Sequence, residues 1–184
     1  MAGPAAPGSP IPWTPLAAYL VTLAALRFGE LWLSSRNVER LTARGGLEYG
    51  ARHFPLIVAL HSIYPVALVA EIWRGARPGA SWSLWLALWL VAQALRFASM
   101  HALGERWTAR IVVVPGEPLV RSGVYRWLPH PSYLAVAIEF LAAPLVFGAW
   151  RTALGSSILN ALLLAVRIPA EERALRAAGT AARR

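Results

Sequence analysis

Five apolar stretches alternate with polar ones along the chain. They cover residues 13–33, 54–73, 82–103, 133–147 and 152–166. A helix needs about 20 apolar residues to cross a hydrocarbon core of roughly 30 Å. The first three qualify alone. The last two are shorter, and Gly148-Ala149-Trp150-Arg151 joins them so tightly that they read as a helical hairpin. Lipid leaves an open strand edge unsatisfied, so the pattern predicts an all-α polytopic membrane bundle of about five transmembrane helices. No internal repeat divides it, and residues 1–184 read as a single integral membrane domain.

Composition supports this reading. Of 184 residues 57% are hydrophobic and 15% charged, with a mean hydropathy of +0.48. Soluble domains run at about 45–50% and 25%, so an ordinary soluble domain, a disordered chain and a fibrous repeat are excluded. The absence of Cys removes disulfides, thiolate metal sites, Cys nucleophiles and thiol lipidation, and no metal site is expected. Residues 1–12 carry no Arg or Lys. A cleavable signal needs a basic start, so the first span is expected to be a retained helix.

The net charge of +9 changes the picture less than it first suggests. All 18 basic residues are Arg, and no basic run alternates with aromatics in a soluble stretch. Nucleic acid is therefore not an expected partner. The Arg residues instead cluster between spans, 13 on one side of a five-span topology and three on the other. The positive-inside rule puts the N-terminus outside, with the third loop and the C-terminus in the cytoplasm, here of a bacterial cell. Trp13, Trp32, Trp73, Trp82 and Trp150 fall near span ends, where indole favours the interface.

Ionisable groups inside spans cost about 2.5–3.5 kcal/mol each on insertion scales, so each needs a reason. Arg27 and Glu30 are spaced to pair on one helix face. Glu71 and Arg96 lie nearer span ends and are expected to snorkel. His61 reads as a hydrogen-bonded packing residue. Asn160, Arg167 and Glu171 are spaced by seven and four, which places them on one helix face.

The third loop, 104–132, is the least loop-like connector. Residues 107–116 read as a short extended run ending in a turn. Gly123 permits an unusual backbone angle, Pro131 keeps His130 out of helical geometry, and Ser132 is placed to cap the next helix. Together these residues are expected to hold a folded pocket against the cytoplasmic face of the bundle.

Gly-Val-Tyr at 123–125, His-Pro-Ser-Tyr at 130–133 and Glu-Glu-x-x-Leu at 171–175 together resemble the isoprenylcysteine carboxyl methyltransferase family. These integral membrane enzymes use S-adenosylmethionine and are related to phospholipid methyltransferases. The runs at 107–116 and 148–154 look like a bacterial branch that accompanies type III polyketide synthases and methylates hydroxyls of long-chain alkylpyrones or alkylresorcinols. The resemblance implies a lipophilic acceptor drawn from the bilayer among membrane lipids. It further implies a donor pocket built by 104–132 and 167–175.

Carried over residue by residue, the resemblance assigns donor binding to Glu117, Pro118, Leu119, Val120, Tyr125, His130, Pro131, Ser132, Tyr133 and Glu171. It gives Arg167 to the acceptor's reacting group. The chemistry is compatible: an aromatic face stabilises a sulfonium, and a carboxylate accepts from amino and ribose groups. Glu139, on the helix that follows Ser132, is the candidate for proton acceptance or for pairing with Arg167. Two positions depart from the family pattern. Pro129 stands where Arg usually precedes His-Pro, and a donor-covering tail beyond Glu-Glu-x-x-Leu is expected to be short. A prenylcysteine-like carboxylate or a phospholipid amine as acceptor, and a non-catalytic scaffold, are the competing readings.

Overall fold

The computed structural model describes residues 13–179, and five α-helices make up most of that length. They are α1 (Trp13–Ala43), α2 (Phe54–Trp73), α3 (Trp82–Leu103), α4 (Pro131–Val146) and α5 (Trp150–Ala177). Four of them, α1, α2, α3 and α5, are long and apolar enough to cross a membrane. The fourth in order, α4, is apolar but has 16 residues, about 24 Å at 1.5 Å per residue. The protein is therefore an all-α polytopic integral membrane bundle, with four helices of spanning length and one shorter companion.

Two helices outrun their apolar stretches. The 31 residues of α1 and 28 of α5 extend about 46 and 42 Å. Hydropathy ends near 33 and 166, but helical hydrogen bonding continues because the polar extensions find docking partners. Leu41 near the end of α1 is 2% exposed. Ala174 and Ala178 at the end of α5 pack with Ile111 and Val113. Those two residues belong to β2 (Ile111–Val113), which pairs antiparallel with β1 (Leu47–Tyr49) in the register Leu47↔Val113 and Tyr49↔Ile111. The extended run in the connector was legible in the sequence. Its partner strand in the α1–α2 loop was not.

At the other end of the bundle, Trp13, Trp73, Trp82 and Trp150 all sit at helix termini with exposed rings. They form an aromatic belt there. The α4–α5 joint closes against the α2–α3 loop at Gly148, whose φ is 72° and whose added Cβ would lie 1.8 Å from the Arg77 carbonyl oxygen. Gly148→Ala is therefore expected to destabilise the fold by about 2–4 kcal/mol, combining left-handed strain with a backbone clash. Thermal unfolding in detergent measures this, and an unchanged midpoint would contradict the close approach.

Glu71 differs from its sequence expectation. It is 9% exposed and accepts from the backbone N–H groups of Arg151 (3.0 Å) and Thr152 (2.6 Å) and from the Thr152 hydroxyl (2.6 Å). A carboxylate from α2 thus serves the first turn of α5, whose N–H groups have no helical partners of their own. Burial against a helix N-terminus replaces snorkelling.

The apolar core joins α1, α2 and α4 through Leu16, Leu23, Leu60, Leu68, Ile72, Phe140 and Phe147. His61 packs edge-on to Phe140, with its Nδ1 2.9 Å from the Ile57 carbonyl, as its sequence reading expects. Midway along the helices lies a closed ring of four charges. Arg27 contacts Glu30 at 2.8 Å and Glu139 at 3.2 Å; Arg96 contacts Glu30 at 3.2 Å and also Glu139. Arg96 is 5% exposed, so it does not snorkel either. Two arginines and two glutamates cancel one another's charge where water cannot.

Candidate active site

The site lies at the end of the bundle where α1, α3 and α5 finish and α4 begins. Pro131 occupies the first turn of α4, where its missing N–H costs nothing, and is fully buried. His130 precedes it with φ −132° and ψ 60°, outside helical geometry as the His-Pro pair requires. The cap expected from Ser132 is not formed: His130 is the N-cap position, and no side chain caps it. Ser132 is the second residue of the helix, beside Tyr125.

Tyr125 belongs to a short 3-10 turn, Gly123–Arg126. Gly123 starts the turn with φ 58°, and a Cβ there would stand 3.2 Å from the Cβ of Ala102 on α3. The connector thereby presses directly onto α3. Burial pushes the Tyr125 phenol above its usual range, with the hydroxyls of Ser132 and Ser99 opposing and Glu171 adding to the shift. It stays a neutral hydroxyl at physiological pH.

Tyr133 links the two helices of the hairpin. Its hydroxyl donates to Glu171 Oε2 at 2.5 Å and accepts from Arg167 Nε at 3.0 Å. Arg167 and Glu171 share a face of α5, as their spacing predicts, but they meet through Tyr133 instead of pairing directly. Arg167 is 7% exposed, and its Nη2 donates to the Ala109 carbonyl at 2.5 Å. Nη1 is left with no protein partner among the described residues. The imidazole of His130 stacks on the Tyr133 ring at 5.5 Å and 18°, with Nδ1 3.8 Å from Glu171 and Nε2 3.5 Å from Glu172.

These side chains line a cavity of about 670 Å³. Glu117, Pro118, Leu119, Val120, Tyr125, His130, Ser132, Tyr133, Arg167 and Glu171 all border it, whereas Pro131 is buried and does not. Glu139 does not border it. The glutamate pairs with Arg27 and Arg96 inside the bundle, so the expected partnership with Arg167 is replaced by the charge ring.

The structure adds residues that the motifs did not point to. Arg106, Arg110, Arg121, Arg126 and Arg176 also line the cavity. Arg106 holds Glu117 at 3.0 Å and the Pro118 carbonyl at 2.6 Å, and Arg44 also contacts Glu117. Residues Thr180 to Arg184, on which the expectation of a short tail partly rests, fall outside the described residues.

Residues 85–177 match the model of the isoprenylcysteine carboxyl methyltransferase family. The chain belongs to that family. An uncharacterized protein of Bacillus subtilis strain 168, YpbQ, is similar at 36% identity over 164 residues, covering 89% of this chain and 95% of that protein. An uncharacterized protein of Haemophilus influenzae Rd is 31% identical over 155 residues, covering 83% and 90%. No solved structure matches.

Family membership makes this a membrane methyltransferase, and S-adenosylmethionine is the family's donor. The cavity suits such a group. Its volume lies within the range of about 300–1,000 Å³ usual for small-ligand sites. The Glu171 carboxylate accepts from amino or ribose hydrogens, and the faces of Tyr125, Tyr133 and His130 suit a sulfonium. The arginine-rich rim offers donors to a carboxylate.

Proposed function

We propose that the protein transfers a methyl group from S-adenosylmethionine to an oxygen of a lipophilic acceptor, a hydroxyl of a long-chain alkylpyrone or alkylresorcinol. The observation that carries this reading is Arg167. It is buried, anchored on two sides by Tyr133 and Ala109, borders the donor cavity, and has one guanidinium nitrogen without a protein partner among the described residues. When bound, the donor supplies an electrophilic methyl carbon with a neutral thioether as leaving group. Glu171, held by Tyr133, binds and orients it, with His130 and Tyr133 as an aromatic wall. Arg167 stabilises by charge the phenolate or enolate that remains once the acceptor's hydroxyl proton has passed to bulk water. Most of the remaining task is alignment and exclusion of water.

The acceptor reaches the cavity from the bilayer, and a type III polyketide synthase is the class of enzyme that supplies it. The site end of the bundle faces the cytoplasm of a bacterial cell. A carboxylate acceptor of the prenylcysteine kind draws equal support from the family and from the same Arg167, which pairs with a carboxylate as well as with a phenolate.

Donor binding and acceptor choice are tested separately. Calorimetry with S-adenosylhomocysteine is expected to give saturable binding, and Glu171→Ala is expected to weaken it at least tenfold, roughly the loss of one charged hydrogen bond. Unchanged binding by that variant would remove Glu171 from the site. Labelled-methyl transfer to a long-chain alkylpyrone, a farnesylcysteine and a phosphatidylethanolamine, each in micelles, then separates the acceptors. Transfer to farnesylcysteine alone would overturn the hydroxyl reading.

A further inference from the structure

The connector, α4 and α5 supply most of the cavity lining, with Leu41 and Leu103 from the ends of α1 and α3, and the residue that anchors Arg167 is itself held from α1. Ala109 uses both of its backbone groups. Its carbonyl accepts from Arg167 Nη2, and its N–H donates to the Ser34 hydroxyl at 2.9 Å. Two residues earlier, the Trp107 carbonyl accepts from Asn37 Nδ2 at 2.7 Å, and the same amide nitrogen reaches the Gly104 carbonyl at 3.3 Å. Ser34 is 4% exposed and Asn37 1%, so water does not compete for these bonds. Thr108 closes the bend by donating to the Arg110 carbonyl at 2.7 Å.

We infer that Ser34 and Asn37 are positioning residues for Arg167: they fix the 107–110 bend, and with it the carbonyl that aims the guanidinium. The inference rests on the role proposed for Arg167 and extends it to a helix that the family match, residues 85–177, does not reach.

The argument is geometric. Arg167 has two protein anchors. Tyr133, on α4, accepts from Nε and carries the guanidinium carbon 5.6 Å from its ring centroid, which sets one edge of the group. Ala109 holds Nη2 and removes rotation about that edge. A carbonyl in an unsupported connector would drift with the loop. Here the same residue is tied through its N–H to a buried serine on a 31-residue helix, and α1 is locked to α3 and α4 by the charge ring. The bend's backbone groups are thus shared between α1 and α5, and Nη1 of this cavity-lining arginine is left with no protein partner among the described residues. A shift of about 1 Å in such a group is enough to cost up to a hundredfold in rate.

The test uses the full-length protein in micelles, with Ser34→Ala, Asn37→Leu, the conservative Ser34→Thr, and Ser35→Ala as a control. The Ser35 hydroxyl donates to the Trp32 carbonyl in its own helix and is exposed. Three readouts are taken: kcat with a long-chain alkylpyrone at saturating S-adenosylmethionine, the affinity for S-adenosylhomocysteine by calorimetry, and the rate at which phenylglyoxal modifies Arg167, mapped by peptide mass spectrometry. Ser34→Ala and Asn37→Leu are expected to lower kcat about tenfold or more, to leave the affinity for S-adenosylhomocysteine unchanged, and to speed modification of Arg167. Ser34→Thr and Ser35→Ala are expected to match the parent in all three. Unchanged Arg167 reactivity in both Ser34→Ala and Asn37→Leu would overturn the inference. Loss of donor affinity in parallel with kcat would do so as well, since it would mean general loosening of the cavity. If the parent protein methylates none of the acceptors, the proposed function fails at that point, and the Arg167 modification rate still decides the inference.

Discussion

Arg167→Ala is expected to lower methyl transfer by about 10²–10³-fold, the usual cost of removing a group aimed at developing oxyanion charge. Donor affinity is expected to stay near that of the parent protein, because Glu171 keeps its bond from Tyr133 when the guanidinium is gone. Arg167→Lys should not restore the rate. A lysine ammonium is a point charge on a flexible stem, whereas Arg167 uses Nε and Nη2 for two anchors and keeps Nη1 for a third direction. Labelled-methyl transfer with calorimetry on the same preparations checks both statements. Loss of donor binding by Arg167→Ala would move Arg167 from the acceptor side of the cavity to the donor side. Full activity of Arg167→Lys would reduce its role to bulk charge.

Three parts of this site were legible in the sequence for physical reasons. The His130-Pro131 pair fixes a helix start without tertiary help, because proline restricts the residue before it. Spacing by four places Arg167 and Glu171 on one face of any helix containing both. Gly123 announces a backbone angle that other residues rarely adopt. What stayed hidden depends on partners remote in sequence. Nothing local distinguishes Leu47–Tyr49 from an ordinary loop, and it becomes a strand only when Ile111–Val113 lies beside it. The Ala109 carbonyl has no side-chain signature at all. Asn37 left a faint one: Leu16, Leu23, Glu30 and Asn37 recur every seven residues and are all buried, so a polar residue in that series is facing something, whereas Ser34 stands outside it. Hydropathy also set the helix ends too early, since α1 and α5 continue beyond the apolar run to dock against the connector and β2.

Glu139 was the sequence's candidate for a reacting group, and the charge ring gives it a different consequence. Glu139→Ala is expected to destabilise the protein by about 3–5 kcal/mol, the cost of stranding a partner of a buried pair. Removing the carboxylate leaves Arg27 and Arg96 sharing Glu30, an excess positive charge among helices whose surroundings are lipid. The Nε atoms of both arginines and both amide atoms of Gln93 are buried without hydrogen-bond partners, so little nearby is free to compensate as an acceptor except the Gln93 oxygen. Glu139→Gln should cost less, because its amide oxygen still accepts from one arginine. The double variant Glu139→Met/Arg96→Met removes one charge of each sign, keeps the Arg27–Glu30 pair at 2.8 Å, and is expected to recover most of the loss. Unfolding of the four proteins in mild detergent, with donor binding measured alongside, separates the possibilities. If Glu139→Ala unfolds like its parent and binds donor yet transfers no methyl group, the ring is not what Glu139 is for, and a proton-accepting role returns.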